Sequence, residues 1–138
     1  MERCLSLLLL IYCVLLCGCG PRNQQDYLRE GQRVTKALVK ELQQIRRHED
    51  FLAAQSRVTR LHDELVELMI AAREYRYEHP GDDPMDMDER SQALSRSLQK
   101  EVDRIAQLEG GEEWLGRCQE EAAIRLASFE SQLARRRI

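Results

Sequence analysis

The sequence predicts an all-α fold: an antiparallel bundle of three to four long helices, running up-down-up-down, with coiled-coil-like packing. Three observations carry this. From Asn23 onward, apolar residues recur at spacings of three and four, and no alternating β-rich run interrupts them. Helix breakers are sparse, with one Gly and no Pro between Tyr27 and Pro80. The composition is 33% charged and 5% aromatic with 43% hydrophobic residues, enough for one core and too charged for a multi-span membrane protein. The 138 residues allow one domain.

The first predicted helix, 23–46, carries the stripe Val34, Leu38, Leu42 and Ile45, with Tyr27, Leu28 and Val39 beside it. The second, 51–78, carries the clearest pattern, Ala54, Val58, Leu61, Leu65, Leu68, Ala72 and Tyr75. Its spacings of 4, 3, 4, 3, 4, 3 make a heptad seam. Phe51, Val66, Met69 and Ile70 widen that seam, as expected for a helix with more than one neighbour. At about 100° per residue the two stripes face opposite sides of a continuous helix. A turn within Arg46–Asp50, with Asp50 capping the second helix, resolves this; one unbroken helix is the alternative.

Pro80 and Gly81 end the second helix. In the polar stretch that follows, Asp86 with Glu89 three residues on has capping-box spacing, and Asp88 is a competing cap. The third helix, 88–108, is expected to bury Ser91, Leu94, Leu98, Val102, Ile105 and Leu108, and Gly110-Gly111 to stop it. The fourth, 112–136, opens with Glu112 and Glu113 at the positive end of its dipole and closes with Arg135, Arg136 and Arg137 at the negative end. Its apolar face is Leu115, Cys118, Ala122, Leu126, Phe129 and Leu133. Short connections favour consecutive helices as antiparallel neighbours.

The N-terminus has a separate character. Leu5 to Leu16 is an uncharged apolar run of twelve residues. A bilayer-spanning helix needs about 20 such residues, whereas a secretory signal core needs fewer. After the run come Leu16, Cys17, Gly18 and Cys19. This LCGC segment resembles the lipobox of bacterial lipoproteins, in which small residues flank the cleaved bond and the following thiol takes the lipid. The resemblance covers about the first 20 residues. It implies cleavage between Gly18 and Cys19, a signal peptide over 1–18, a lipid-anchored tether over 19–22 and a helical domain over 23–138. It also implies that Cys19 carries fatty-acyl chains of the palmitate kind. Gly20, standing where an Asp would signal inner-membrane retention, implies the outer membrane.

Cleavage would remove Cys4, Cys13 and Cys17, and acylation would consume Cys19. Only Cys118 would then remain, and no intramolecular disulfide is expected. Cys118 sits at helical spacing between Leu115 and Ala122, the position of a small buried core residue.

The motifs of catalysis and cofactor binding are missing from the sequence. Three residues before His48, His62 and His79 stand Ile45, Thr59 and Arg76, so no Glu-x-x-His di-iron pair exists. Cys-x-x-Cys-His is absent, and His62 reads as a partly exposed helix residue. The acidic residues Asp82, Asp83, Asp86, Asp88 and Glu89 depart from the EF-hand pattern, with Arg90 where a ligand belongs, and read as turns and caps. No nucleophile elbow, phosphate loop or zinc-protease motif occurs. Arginine outnumbers lysine 18 to 3, but 24 acidic residues are interspersed, so ion pairs along the helices are expected. The acidic pI of about 5.7 argues against nucleic acid.

The expectation is therefore a non-catalytic, lipid-anchored envelope protein without a cofactor or metal. Its partners would be membrane lipid, through acylated Cys19, and a protein partner or second copy, through helical surfaces exposing Met69, Ile70, Trp114 and Ile124. The alternative is a small-ligand or metal-binding bundle in the periplasm.

Overall fold

The computed structural model describes residues 23–83 and 86–138; the apolar run, Gly18, Cys19 and the tether lie outside them. The described chain forms four helices and no strand: α1 (Gln24–Gln43), α2 (Phe51–Glu78), α3 (Glu89–Ala106) and α4 (Gly111–Arg136). A short 3-10 turn, His48–Asp50, divides α1 from α2. The all-α bundle is thus as the periodicity predicts, and residues 23–78 are two helices.

Asp50 makes the break but caps the connection instead of α2. Its Oδ2 accepts hydrogen bonds from the backbone N–H of Arg46 at 2.9 Å and of Arg47 at 3.3 Å. The carboxyl of Asp50 is held below its usual pKa, chiefly by the Arg46 N–H. At the start of α1, Asn23 Oδ1 accepts from the Asp26 N–H at 2.9 Å. At the start of α3 the competing cap prevails. Asp88, not Asp86, accepts from the Ser91 N–H at 2.8 Å, satisfying a donor the first turn leaves unpaired.

Helix directions alternate, and cross-links fix the neighbours. Arg33 pairs with Glu64 and Arg57 with Glu41 at 2.9 Å, setting α1 antiparallel to α2. Gln32 reaches Asp88 and Ser91 while Arg104 reaches Leu42 and Ile45, so α3 lies parallel to α1. Glu67 pairs with Arg125 and Arg73 with Glu130, so α4 lies parallel to α2. The sequence expectation of antiparallel neighbours holds for α1 with α2 and for α3 with α4 at their shared turn. It does not extend to α2 and α3, which are not packed side by side. The connection explains this: ten residues, 79–88, reach up to roughly 33 Å, several times the 8–10 Å between packed helix axes.

The core gathers at one end. Val34, Leu38, Leu42 and Ile45 of α1 and its turn meet Phe51, Ala54, Val58 and Leu61 of α2, Ile105 of α3, and Trp114, Leu115 and Cys118 of α4. Trp114 is 1% exposed and stacks on Phe51 with centroids 4.7 Å apart. This corrects the expectation of Trp114 on an exposed patch. The indole lies one turn before Cys118, and the hairpin turn folds it inward. Cys118 is buried, as its spacing predicts, and burial raises its thiol pKa.

The α3–α4 turn requires its glycines. Gly110 has φ of 72°, in the left-handed region. Gly111 is buried, and a Cβ there would stand 1.8 Å from the Ile105 carbonyl oxygen. This close approach brings the start of α4 back onto the end of α3.

A second polar feature locks the same end. Arg104 donates from Nη1 to the Ile45 carbonyl and from Nη2 to the Leu42 carbonyl, both at 2.7 Å. Its Nε donates to Glu101 at 2.7 Å, and Glu101 is buried. A charged side chain of α3 thereby reaches carbonyls at the end of α1, adding to the Ile45 N–H that the Leu42 carbonyl already accepts at 3.1 Å. At the opposite end of the molecule, packing loosens. Leu65, Leu68, Leu94 and Leu98 occupy core-stripe positions but are only half-buried.

Candidate functional site

The loosened end holds a concavity with a largely apolar lining. Tyr27, Leu28, Gly31 and Thr35 of α1 form one wall, Leu65, Leu68, Met69 and Ala72 of α2 a second, and Leu94, Ser95 and Leu98 of α3 a third, with Met87 at the rim. No residue of α4 contributes. The groove encloses about 400 Å³, within the roughly 300–1,000 Å³ of small-molecule sites. No charged side chain is among its lining residues.

The groove follows from small residues on otherwise apolar stripes. Gly31 stands one turn before Val34, and no atom lies within 4 Å of the point its Cβ would occupy. Ala72 takes a seam position that a leucine would fill, and Ser91 and Ser95 flank Leu94. Where large side chains oppose each other, at the Trp114 end, the core closes; where small ones do, space remains.

One rim is polar and tied. Gln32 Nε2 donates to Asp88 Oδ1 at 3.1 Å and to Ser91 Oγ at 2.8 Å. The N–H of Ser91, more than any other group, holds the Asp88 carboxyl below its usual pKa. The Thr35 hydroxyl donates to the Gly31 carbonyl at 2.7 Å. Beyond the groove, nearer the start of α1, Tyr75 packs at 5.8 Å from Tyr27 and at 4.1 Å from His79. The Tyr75 hydroxyl donates to Asp82 at 3.2 Å, and its pKa is raised, first by partial burial and then by that carboxylate.

The histidines are dispersed. His48 lies in the exposed turn, His79 follows α2, and His62 sits half-buried between α2 and α4. The Nδ1 of His62 is 2.9 Å from the Val58 carbonyl, and its Nε2 is 3.2 Å from Gln119 Nε2. The neutral ring with a proton on Nδ1 fits both contacts, donating to Val58 and accepting from Gln119. Burial lowers its pKa below 6.5. Among the described residues no three His, Cys, Asp or Glu side chains converge on a point. Of the acidic stretch, Asp82 and Asp88 serve a turn contact and a helix cap.

Of the residues expected on an exposed patch, Ile124 and Met69 are exposed, at 64% and 38%, and Ile70 is half-buried. They belong to different surfaces: Met69 lines the groove, while Ile124 stands on α4, which does not. The arginines are mostly exposed, as expected, and among the described residues they also reach across helices. Beside the within-helix pairs Arg33–Glu30, Arg104–Glu101 and Arg125–Glu121, four pairs join different helices. Among the described residues no helix is long and apolar enough to cross a membrane. Compared with protein-family models, curated proteins and solved structures, the chain finds no match.

Proposed function

We propose that this chain is a bacterial envelope lipoprotein that acts by binding rather than by catalysis. Its lipid would be carried by Cys19 after cleavage behind Gly18, with the outer membrane as destination. The LCGC segment at 16–19 supports the anchor, and no transmembrane helix among the described residues offers another attachment. The single observation that carries the binding reading is the apolar groove between α1, α2 and α3. A stable bundle has reason to fill such space; an uncharged, open, apolar one is suited to receiving something. It favours an apolar occupant over the metal ion of the alternative reading, because no charged or imidazole group lines it.

Cys19→Ser tests the anchor. The expected result is loss of the protein from the membrane fraction, or accumulation of an unprocessed precursor seen as a higher intact mass. Membrane association and mass unchanged apart from the substituted atom would refute the proposal.

A further inference from the structure

We infer that the groove seats a fatty-acyl chain borne by Cys19 of the same molecule. This rests on the acylation proposed above and names the occupant of the groove.

Position is the first argument. The groove is lined by α1 from Tyr27 to Thr35, the part of that helix nearest its beginning. Cys19 precedes Asn23 by four residues, a tether that reaches at most about 14 Å. Tyr27 lies only about 6 Å along the helix from its cap. An acyl chain rooted on Cys19 can therefore enter at the mouth of the groove while α1 stays wound. Any other occupant must come from outside; this one is tethered beside the opening, at the high effective concentration a short linker gives.

Chemistry and size agree. The lining offers leucines, methionines and no charge, which suits a hydrocarbon tail and rejects a phosphate headgroup. Met69 on the α2 wall and Met87 at the rim are flexible and adapt to irregular apolar contours. A helix from a second copy, about 10 Å across with its side chains, would lie over the open side of the groove rather than within its volume of about 400 Å³. A single extended tail is slimmer.

These two methionines supply a probe. The full-length protein is produced in cells fed photo-methionine, purified with its lipid, and placed in phosphatidylcholine vesicles with deuterated acyl chains. After irradiation, mass spectrometry localises each crosslink. The expected product joins Met69 or Met87 to an undeuterated chain on the Cys19 peptide. It should be lost in Gly31→Phe, whose ring fills the groove, and in Ala72→Leu on the facing wall, while Gly31→Ala retains it. Circular dichroism checks that each variant keeps its helix content. Acylated Cys19 with crosslinks only to deuterated lipid, only to a second copy, or to nothing overturns this inference and leaves the anchor standing. A bare Cys19 overturns the anchor and the inference together.

Discussion

Three residues show how much one position decides. Gly111 admits no Cβ, because the Ile105 carbonyl oxygen would stand 1.8 Å away. Gly111→Ala should lower unfolding free energy by at least roughly 1–3 kcal/mol, the usual cost of overpacking; an unchanged urea midpoint would contradict the close approach. Arg104 donates to two carbonyls of the first helical hairpin and to buried Glu101. Its loss in Arg104→Ala leaves the Ile45 carbonyl without its charged donor and a carboxylate half-stranded, an expected cost of about 1.5–3 kcal/mol for charged hydrogen bonds. Arg104→Lys should recover only part, since one ammonium cannot reproduce the fork. His62 sets a pH dependence. Burial lowers its folded-state pKa below 6.5, so the unfolded chain binds the proton more tightly. The stability this provides is complete above the unfolded value and is lost as pH falls through the folded one. Melting temperatures recorded from pH 8 to 5 should fall more steeply for the wild type than for His62→Gln; parallel curves would reject the assignment.

At the scale of the helix, local signals and distant partners separate cleanly. Gly31 sits inside α1 with open space around its missing Cβ. Gly31→Ala should therefore raise stability by about 0.5–1 kcal/mol through helix propensity alone, read as a higher denaturation midpoint. The four helices are legible because their evidence is local: seven seam residues in α2, the glycine pair at the start of α4, and opposed stripes demanding a break. The caps were half legible. Asp50 and Asp88 announce themselves as capping residues, yet which N–H each accepts from depends on backbone geometry that spacing alone does not give. Arg104 with Glu101 reads as an ordinary surface pair three residues apart; its real targets are 59 and 62 residues away. Trp114 was misplaced for the same reason, since its stacking partner Phe51 lies on another helix. The groove left a faint trace, in Gly31, Ala72, Ser91 and Ser95 on apolar stripes. Small residues in single stripes give no hint that they face one another. The proposed lipidation site rests on sequence alone, and lies outside the described residues.

Across the whole molecule, cohesion is graded from one end to the other. The fully buried residues run from Val34 to Val58 and gather around Ile105 and Trp114, while the leucines that line the groove are half-buried. Hydrogen exchange should follow this gradient, with the slowest amides near Leu42, Val58 and Cys118 and faster ones near Tyr27, Ala72 and Leu94. Uniform protection along α2 would contradict it. The exposed ion pairs between helices, such as Arg73 with Glu130, set register more than they add strength, at about 0–1 kcal/mol each. The side-by-side parallel pairs have one more consequence. Neither the first hairpin nor the second owns a finished interior: Phe51 needs the indole from across the divide, and the carbonyls of Leu42 and Ile45 need their guanidinium from there too. A protease nick in the exposed stretch from Pro80 to Asp83 would thus yield two halves bound only by each other's surfaces. Their survival as a pair would then depend on dilution, turning a question of folding into one of association.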